Sequence, residues 1–228
     1  MGAATESGNS VAVQDYAKAI YSLQRRSEES VSTSAIAERL GVSPASTSAM
    51  VKRLESLGLA KHEPYHGVVL TPAGKRVALE VIRHHRLLEL YLAEALGMPW
   101  DRVHEEAEVL EHAISPELSA LIAAKLGNPT HDPHGDPIPT AEGEIEEGSS
   151  QALSDLQPGE KGIFVRVSDS DPEMLRYLSE RGIAPGEGLE VLERQPFDGP
   201  LLVRFGESLA DHALGGSLVR MMRVETAG

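Results

Sequence analysis

Two short amphipathic segments, joined by a turn of only a few residues, constrain the fold of this chain more than any other sequence feature. The first, STSAIAERL, starts with serine and threonine and stops at Gly41. The second, PASTSAMVKRLESL, follows Ser43, a good N-cap, and has Pro44 in its first turn. Two helices joined by the short turn GVS predict a helix-turn-helix.

Elements on both sides extend this motif. The segment VQDYAKAIYSLQRR has apolar residues at helical spacing and predicts a helix before it. After it, two β-prone stretches flank PYHG, which is a hairpin signal. We therefore predict a winged helix-turn-helix domain over residues 1–76.

The second helix of the motif begins with small hydroxyl side chains. Such side chains can contact bases or phosphates when a recognition helix enters the major groove, and nearby basic residues can pair with phosphates. They can equally form an ordinary solvent-facing surface, but the winged pattern favours DNA. The residues predicted to contact DNA are Ser43, Ala45, Ser46, Thr47, Ser48, Lys52, Arg53 and His66.

The rest of the chain divides into a helical part and a β-rich part. Helical patterns cover residues 74–95, 100–113 and 116–126, with prolines and glycines between them. Beyond a Pro/Gly/Glu-rich stretch, about five short strands, the last being SLVRMMRVE, and one helix predict a small barrel. The predicted domains are helical over 77–140, a linker over 141–151, and the barrel over 152–228.

The formal charge of −14 is unevenly distributed along the chain. Residues 1–76 have a net charge of +2, residues 77–147 of −11, and residues 148–228 of −5. An acidic surface by itself keeps a protein soluble, but here the central acids cluster with histidines. The asymmetry therefore favours a nucleic-acid-facing end next to an acidic, ion-binding centre.

The sequence has no cysteine, which excludes a disulfide framework and a zinc–thiolate site. No apolar run approaches the roughly 20 residues that a membrane span needs. The polar N-terminus also lacks the pattern of a secretion signal. We expect a soluble cytoplasmic protein with no membrane partner.

The stretch HEEAEVLEHAIS concentrates histidines and carboxylates. If it is a helix, an arc of roughly 100° holds four possible ligands, His104, Glu108, Glu111 and His112. His85 and Glu89 have i, i+4 spacing on the preceding predicted helix, which aims both side chains at one point. Carboxylates and imidazoles without thiolate suit Mn²⁺ or Fe²⁺. A solvated charged surface is the alternative interpretation.

Sequence motifs for catalysis are incomplete. HEEAE lacks the second histidine of the zinc-protease pattern, and EVLEH lacks the first histidine of its inverted form. The sequence contains neither a Gly-x-Ser-x-Gly elbow nor a phosphate-binding glycine loop. We therefore predict that the chain is not an enzyme, and a metal-dependent hydrolase is the weaker alternative.

Several of these segments, taken in order, resemble the diphtheria-toxin-repressor family of metal-dependent repressors, and in particular its manganese-responsive branch. The resemblance covers nearly the whole chain, and its most specific segments are VHEEAEVLEHAIS and DPHGDPIP. It implies a mainly α protein with a small β domain. The implied parts are a winged helix-turn-helix, a helical dimerisation and metal-binding domain, and a C-terminal SH3-like β-barrel.

The resemblance also implies ligands for two metal sites. The primary site takes Asp15, Glu108, Glu111 and His112. The secondary site takes His85, Glu89, His104, Asp132 and His134, and Asp171 closes it in preference to Asp169. Asp15 and Glu108 stand where iron-responsive members have methionine and cysteine, which favours Mn²⁺. Lys18 stands where some manganese members have glutamate, so a single ion is expected at the primary site.

The implied function is manganese-dependent repression of metal-uptake genes by a metal-activated homodimer bound to double-stranded operator DNA. Either one or two dimers per operator are compatible with the sequence. Fe²⁺, Co²⁺, Cd²⁺ or Zn²⁺ could occupy the same sites. An iron- or zinc-responsive repressor of the same architecture is therefore the main alternative.

Overall fold

The computed structural model describes residues 10–27, 30–63, 67–146, 148–197, 199–206 and 210–226. They form two compact units. The first unit comprises the described residues up to 85, together with 111–114 and 139–144. The second comprises residues 86–110 and 115–138 and the described residues from 145 onward.

The first unit contains the predicted winged helix-turn-helix. Its elements before the long fourth helix are α1 (Val11–Ser27), α2 (Thr33–Leu40), α3 (Pro44–Ser56), β1 (Ala60–Glu63) and β2 (Gly67–Leu70). The Ser32 and Ser43 hydroxyls accept hydrogen bonds from backbone N–H groups in the first turns of α2 and α3. Gly41 ends α2 in the left-handed conformation, at φ 64°. These caps confirm the boundaries predicted from local sequence signals.

One apolar cluster connects the helices of this unit. It includes Val13 and Ile20 from α1, Ile36 from α2, and Val51 and Leu54 from α3, all buried. The antiparallel hairpin β1–β2 adds Val68. Because α1 shares this core with α2 and α3, a displacement of α1 would disturb the packing of α3.

The helical middle of the chain departs from the prediction at both ends of one helix. Helix α4 (Pro72–Leu96) contributes residues to both units, and α5 (Val103–Leu110) and α6 (Pro116–Lys125) follow. The predicted helix over 100–113 is wrong at both ends, because α5 begins at Val103 and ends at Leu110, and residues 100–102 and 111–113 form turns. The chain has to reach an extended conformation at Ser115, which caps α6 and precedes Pro116.

The C-terminal part is a six-stranded antiparallel sheet in the order β3-β8-β4-β5-β6-β7. Its strands are β3 (Gln151–Ala152), β4 (Lys161–Val167), β5 (Gly188–Arg194), β6 (Leu201–Phe205), β7 (Asp211–Leu214) and β8 (Met222–Glu225). Helices α7 (Pro172–Ser179) and α8 (Gly216–Met221) complete it. Buried Phe164, Val203 and Leu218 belong to its apolar core.

The predicted class, mainly α with a small SH3-like β domain, is confirmed. The prediction that SLVRMMRVE is one strand is wrong, because its first half is α8 and only Met222 onward is strand. The very short β3 and β7 were not predicted. No helix in the described part of the chain has both the length and the apolar character that crossing a membrane requires.

Candidate metal centres and DNA-binding surface

Asp15, Glu111 and His112, which we call the first cluster, come together in the first unit. Each can offer a ligand atom within 4.8 Å of the other two. His112 Nε2 lies 2.9 Å from Asp15 Oδ1 and 3.3 Å from Glu111 Oε1. Helix α1 supplies Asp15, whereas the turn after α5 supplies the other two, 96 or more positions later in the sequence.

Neighbouring side chains hold the first cluster in position. His112 Nδ1 lies 2.7 Å from Gln14 Oε1 and donates to it, which turns Nε2 towards the two carboxylates. Lys18 Nζ donates to both Glu111 oxygens, at 2.9 and 2.8 Å. His85 Nδ1 donates to Glu111 Oε2 at 2.6 Å, so this predicted secondary-site residue supports Glu111. Sequence reasoning missed Gln14, since an amide next to Asp15 gives no local signal.

Glu111 is ionised despite its complete burial. Burial raises the pKa of its carboxyl, but the hydrogen bond from His85 and the attraction of Lys18 outweigh it and hold the pKa below its usual range. Burial lowers the pKa of His84, whose Nδ1 donates to the Glu111 carbonyl at 3.2 Å. The first cluster therefore presents a charged carboxylate, and its oxygen and nitrogen donors without sulfur fit a cation such as Mn²⁺ or Fe²⁺.

Glu108, the fourth predicted ligand of the primary site, lies on α5 in the second unit. Its side chain is half-exposed, and Oε1 is 3.9 Å from His104 Nε2. Its assignment to the primary site stays a prediction.

A second cluster lies within the second unit and consists of Glu89, His104, Asp132, His134 and Asp169. His104 Nδ1 lies 3.1 Å from Asp169 Oδ2 and 3.2 Å from Glu89 Oε1. These hydrogen bonds, that to Asp169 first, raise the pKa of His104 to about 10. The bond from His104 also holds the pKa of Asp169 below its usual range against the opposing effect of burial. Without a bound cation, His104 therefore favours its protonated form between two carboxylates, and a cation that His104 ligates has to displace that proton.

The other half of the second cluster is fully enclosed. Glu89, Asp132 and His134 are all buried and can each offer a ligand atom within 4.8 Å of the other two. Burial, followed by repulsion from Glu89 and Asp136, raises the pKa of Asp132 well above its usual value. His134 Nδ1 is buried, lies 3.9 Å from Glu89 Oε2, and has no hydrogen-bond partner among the described residues. A buried ring nitrogen that faces carboxylates and lacks a hydrogen-bond partner is expected where the group binds a cation.

The loop DPHGD places Asp132 and His134. Asp132 Oδ1 accepts hydrogen bonds from the backbone N–H groups of His134 and Asp136, at 2.8 and 2.9 Å. Gly135 adopts φ 85°, and a Cβ there would lie 1.8 Å from the Val165 carbonyl oxygen on β4. Only glycine permits this approach, so the loop is fixed against the sheet domain.

Asp171, which the family resemblance favoured over Asp169 as a ligand, is the N-cap of a helix in this structure. Its Oδ1 accepts hydrogen bonds from the N–H groups of Glu173 and Met174, at 3.0 and 3.2 Å, and so caps α7. Asp169, the less favoured candidate, lies beside His104 instead. The structure therefore favours Asp169 over Asp171 as the aspartate next to the second cluster.

The predicted DNA surface is largely exposed along α3. Its exposed members are Ser43, Ala45, Ser46, Ser48, Lys52 and Arg53. Thr47 is a correction: it is completely buried, and its hydroxyl donates to the Ser43 carbonyl at 3.2 Å, so it cannot reach a base. His66 lies outside the described residues.

Family comparisons agree with this architecture. Residues 10–68 match the family described as iron dependent repressor, N-terminal DNA binding domain. Residues 71–140 match iron dependent repressor, metal binding and dimerisation domain, and residues 151–226 match the FeoA domain.

Individual relatives extend the similarity over most of the chain. The iron-dependent repressor IdeR of Mycobacterium tuberculosis is 32% identical over 82% of this chain and 86% of its own length. The diphtheria toxin repressor of Corynebacterium efficiens is 32% identical over 79% of this chain and 82% of its own.

Solved structures of metal-dependent repressors are also similar to this chain over most of its length. A manganese-dependent transcriptional repressor in complex with manganese has a TM-score of 0.85 and 44% identity, covering 94% of this chain and 99% of that one. ScaR with bound Zn²⁺ has a TM-score of 0.75 and 28% identity, covering 94% and 99%. The chain belongs to the iron-dependent repressor family, whose members compared above are metal-dependent transcriptional repressors and not enzymes.

Proposed function

We propose that this chain is a manganese-responsive transcriptional repressor that binds operator DNA as a metal-activated homodimer. The observation that supports it most is the first cluster, because its ligands come from α1 of the DNA-binding part and from the turn after α5. Asp15, Glu111 and His112 offer oxygen and imidazole donors without sulfur, which suits Mn²⁺. The similarity to a manganese-dependent repressor supports the same ion.

The activation we propose works through α1. A divalent cation, when bound, supplies positive charge that the Asp15 and Glu111 carboxylates share. Ligation by these residues ties α1 to the turn at 111–112, and α1 packs against α2 and α3 in one apolar core. Fixing α1 therefore fixes the orientation of the recognition helix α3. Such coupling between two sites is typically about 1–3 kcal/mol, and DNA must tighten metal binding by the same factor.

We propose the second cluster as a separate cation site, held by Glu89, His104, Asp132 and His134 with Asp169 in place of Asp171. The chain's single tryptophan, Trp100, stacks on the His134 ring with centroids 5.6 Å apart. Its fluorescence should therefore respond to cation binding there, and the response should be lost in His134→Ala. The exposed His131→Ala in the same loop is the matched control.

The proposed partner is a palindromic operator that controls metal-uptake genes, bound in the cytoplasm by one dimer or two. A two-fold dimer presents two α3 helices to successive major grooves, about 34 Å apart. The chain's net charge of −14 opposes approach to phosphates, so the local excess of positive charge in residues 1–76 matters.

Capture of fragmented genomic DNA by the purified full-length protein, with MnCl₂ or with chelator, tests this function. We expect discrete fragments to be enriched only with Mn²⁺. On a recovered fragment, Asp15→Ala and His112→Ala should abolish the Mn²⁺ response, whereas His131→Ala should keep it. Equal binding by all variants with and without Mn²⁺ would contradict the proposal.

Titration of the same fragment with Fe²⁺, Zn²⁺ and Co²⁺ separates the manganese proposal from its alternative. An unconstrained site binds Zn²⁺ more tightly than Mn²⁺, so tight binding of an ion does not show that it activates the protein. DNA binding therefore has to be measured for each ion alongside its affinity. Full activation by Fe²⁺ or Zn²⁺ with none by Mn²⁺ would assign the protein to another metal response.

A further inference from the structure

Lys18 places a positive charge inside the first cluster. It follows Asp15 by one turn of α1, and its ammonium donates to both oxygens of Glu111, at 2.9 and 2.8 Å. The Glu111 side chain is completely buried, and that of Lys18 is 19% exposed, so solvent screens this pair weakly. Charge-assisted contacts of this kind are stronger than hydrogen bonds between neutral groups.

This ion pair already holds α1 to the turn after α5. Together with the contacts of His112 to Gln14 and Asp15, it gives two attachments between these elements that use only protein groups. Repulsion between Asp15 and Glu111 is therefore offset by Lys18 before any metal enters. Lys18 also has to break its contact with at least one Glu111 oxygen when a cation binds there. Two positive charges close to the same oxygen repel each other strongly.

We propose that Lys18 is a tethered counter-ion that sets the metal threshold of the first cluster. This inference rests on the proposed function of that cluster. At low metal this lysine gives α1 a weaker attachment to Glu111, which ligation of a cation by Asp15, Glu111 and His112 then strengthens. Its positive charge also makes metal binding weaker than it would be if no positive charge lay beside the three ligands. It also excludes a second cation from Glu111, so occupancy reflects the concentration of one ion.

Metal affinity gives the first test. Mn²⁺ binding to the full-length protein is measured by calorimetry for wild type, Lys18→Gln and Lys18→Arg, each in a His134→Ala background that weakens the second cluster. We expect Lys18→Gln to bind Mn²⁺ about tenfold more tightly, since one nearby positive charge is removed. Lys18→Arg should stay close to wild type. Lys61→Gln, which removes an exposed positive charge of the same unit, should also stay close.

Hydrogen exchange in chelator gives a second readout, which involves no bound metal. Amides of α1 and of residues 111–114 should exchange faster in Lys18→Gln than in wild type, because the metal-free attachment is lost. If Lys18→Gln folds poorly, Lys18→Met can replace it, because methionine keeps the aliphatic part of the side chain without the charge. Lys18→Met should likewise bind Mn²⁺ more tightly and show faster exchange in α1 and residues 111–114.

The outcomes separate this inference from the proposed function. Unchanged or weaker Mn²⁺ binding by Lys18→Gln or Lys18→Met, with Asp15→Ala still abolishing binding, would overturn the role of Lys18 alone. If Asp15→Ala leaves Mn²⁺ binding intact, the first cluster is not the metal site, and both proposals fail.

Discussion

At the scale of single residues, the first cluster depends on side chains that do not themselves offer a ligand to the ion. Gln14 accepts the Nδ1 proton of His112 at 2.7 Å and so leaves Nε2 facing Asp15 and Glu111. Outer partners of this kind fix the orientation and the proton position of a ligating histidine. They are therefore as open to test by mutation as the ligands.

Replacing Gln14 by alanine should weaken Mn²⁺ binding by about 10–100-fold, because the His112 ring loses its orientation. Gln14→Glu keeps the acceptor oxygen and should retain most of the affinity. Calorimetry with Mn²⁺ measures both, and Gln157→Ala in the C-terminal part is the control. Equal affinity of Gln14→Ala and wild type would show that Gln14 does not position His112.

Gly135 makes a prediction about stability. In Gly135→Ala the new Cβ would meet the Val165 carbonyl oxygen at 1.8 Å in a backbone with φ 85°, so the loop has to move away from β4. We expect a loss of about 3 kcal/mol in the free energy of unfolding, measured in urea. Gly148→Ala, where no atom lies within 4 Å of the added Cβ, should change it little. Similar losses in both variants would contradict this account.

At the scale of secondary-structure elements, α3 has one face in the core and one in solvent. Thr47, Val51 and Leu54 are buried at helical spacing, whereas Lys52 and Arg53 are exposed. Thr47 lies four residues before Val51, so the apolar period alone could have placed it inside. Its hydroxyl suggested a DNA contact, and the structure uses that hydroxyl for a hydrogen bond within the first turn.

Substitutions on the two faces of α3 should affect different properties, DNA binding on the exposed face and stability on the buried one. Arg53→Gln should weaken DNA binding uniformly across sequences and reduce the salt slope by about one, without changing the melting temperature. Thr47→Ala should cost about 1 kcal/mol of stability and leave DNA affinity at saturating Mn²⁺ nearly unchanged. Fluorescence anisotropy on a recovered operator and thermal unfolding measure the two effects. A stronger DNA defect in Thr47→Ala than in Arg53→Gln would reverse this assignment.

Local signals predicted local structure well and the ligand geometry less well. The caps at Ser43 and Gly41 follow from neighbouring residues, which is why the helix-turn-helix could be predicted. Asp171 before Pro172 is itself an N-cap signal, which could have separated it from Asp169. The Lys18–Glu111 contact joins residues 93 positions apart, and no local pattern encodes such a pair.

At the scale of the whole molecule, the described residues leave a set of large apolar side chains exposed on the helices of the second unit. They are Leu96, Val109, Leu110, Leu118 and Leu121. Helix α6 is apolar on two faces, with Ile122 and Ala123 buried and Leu118 and Leu121 exposed. A helix of this kind needs a second partner surface. The matched dimerisation domain makes a second copy of the chain the proposed partner.

At micromolar concentration, Leu121→Asp should therefore convert a dimer of two 24.5 kDa chains into single 24.5 kDa chains. A charge buried at the centre of an apolar interface typically costs several kcal/mol, so dimer affinity should fall by at least about 100-fold. Operator affinity should fall with it even at saturating Mn²⁺, because a single α3 reads only one half-site. Light scattering gives the mass, and Phe197→Asp, at a fully exposed apolar residue of the sheet domain, is the matched control. If Leu121→Asp stays dimeric, the exposed face of α6 is not the dimer contact, and the two recognition helices must be spaced by another surface.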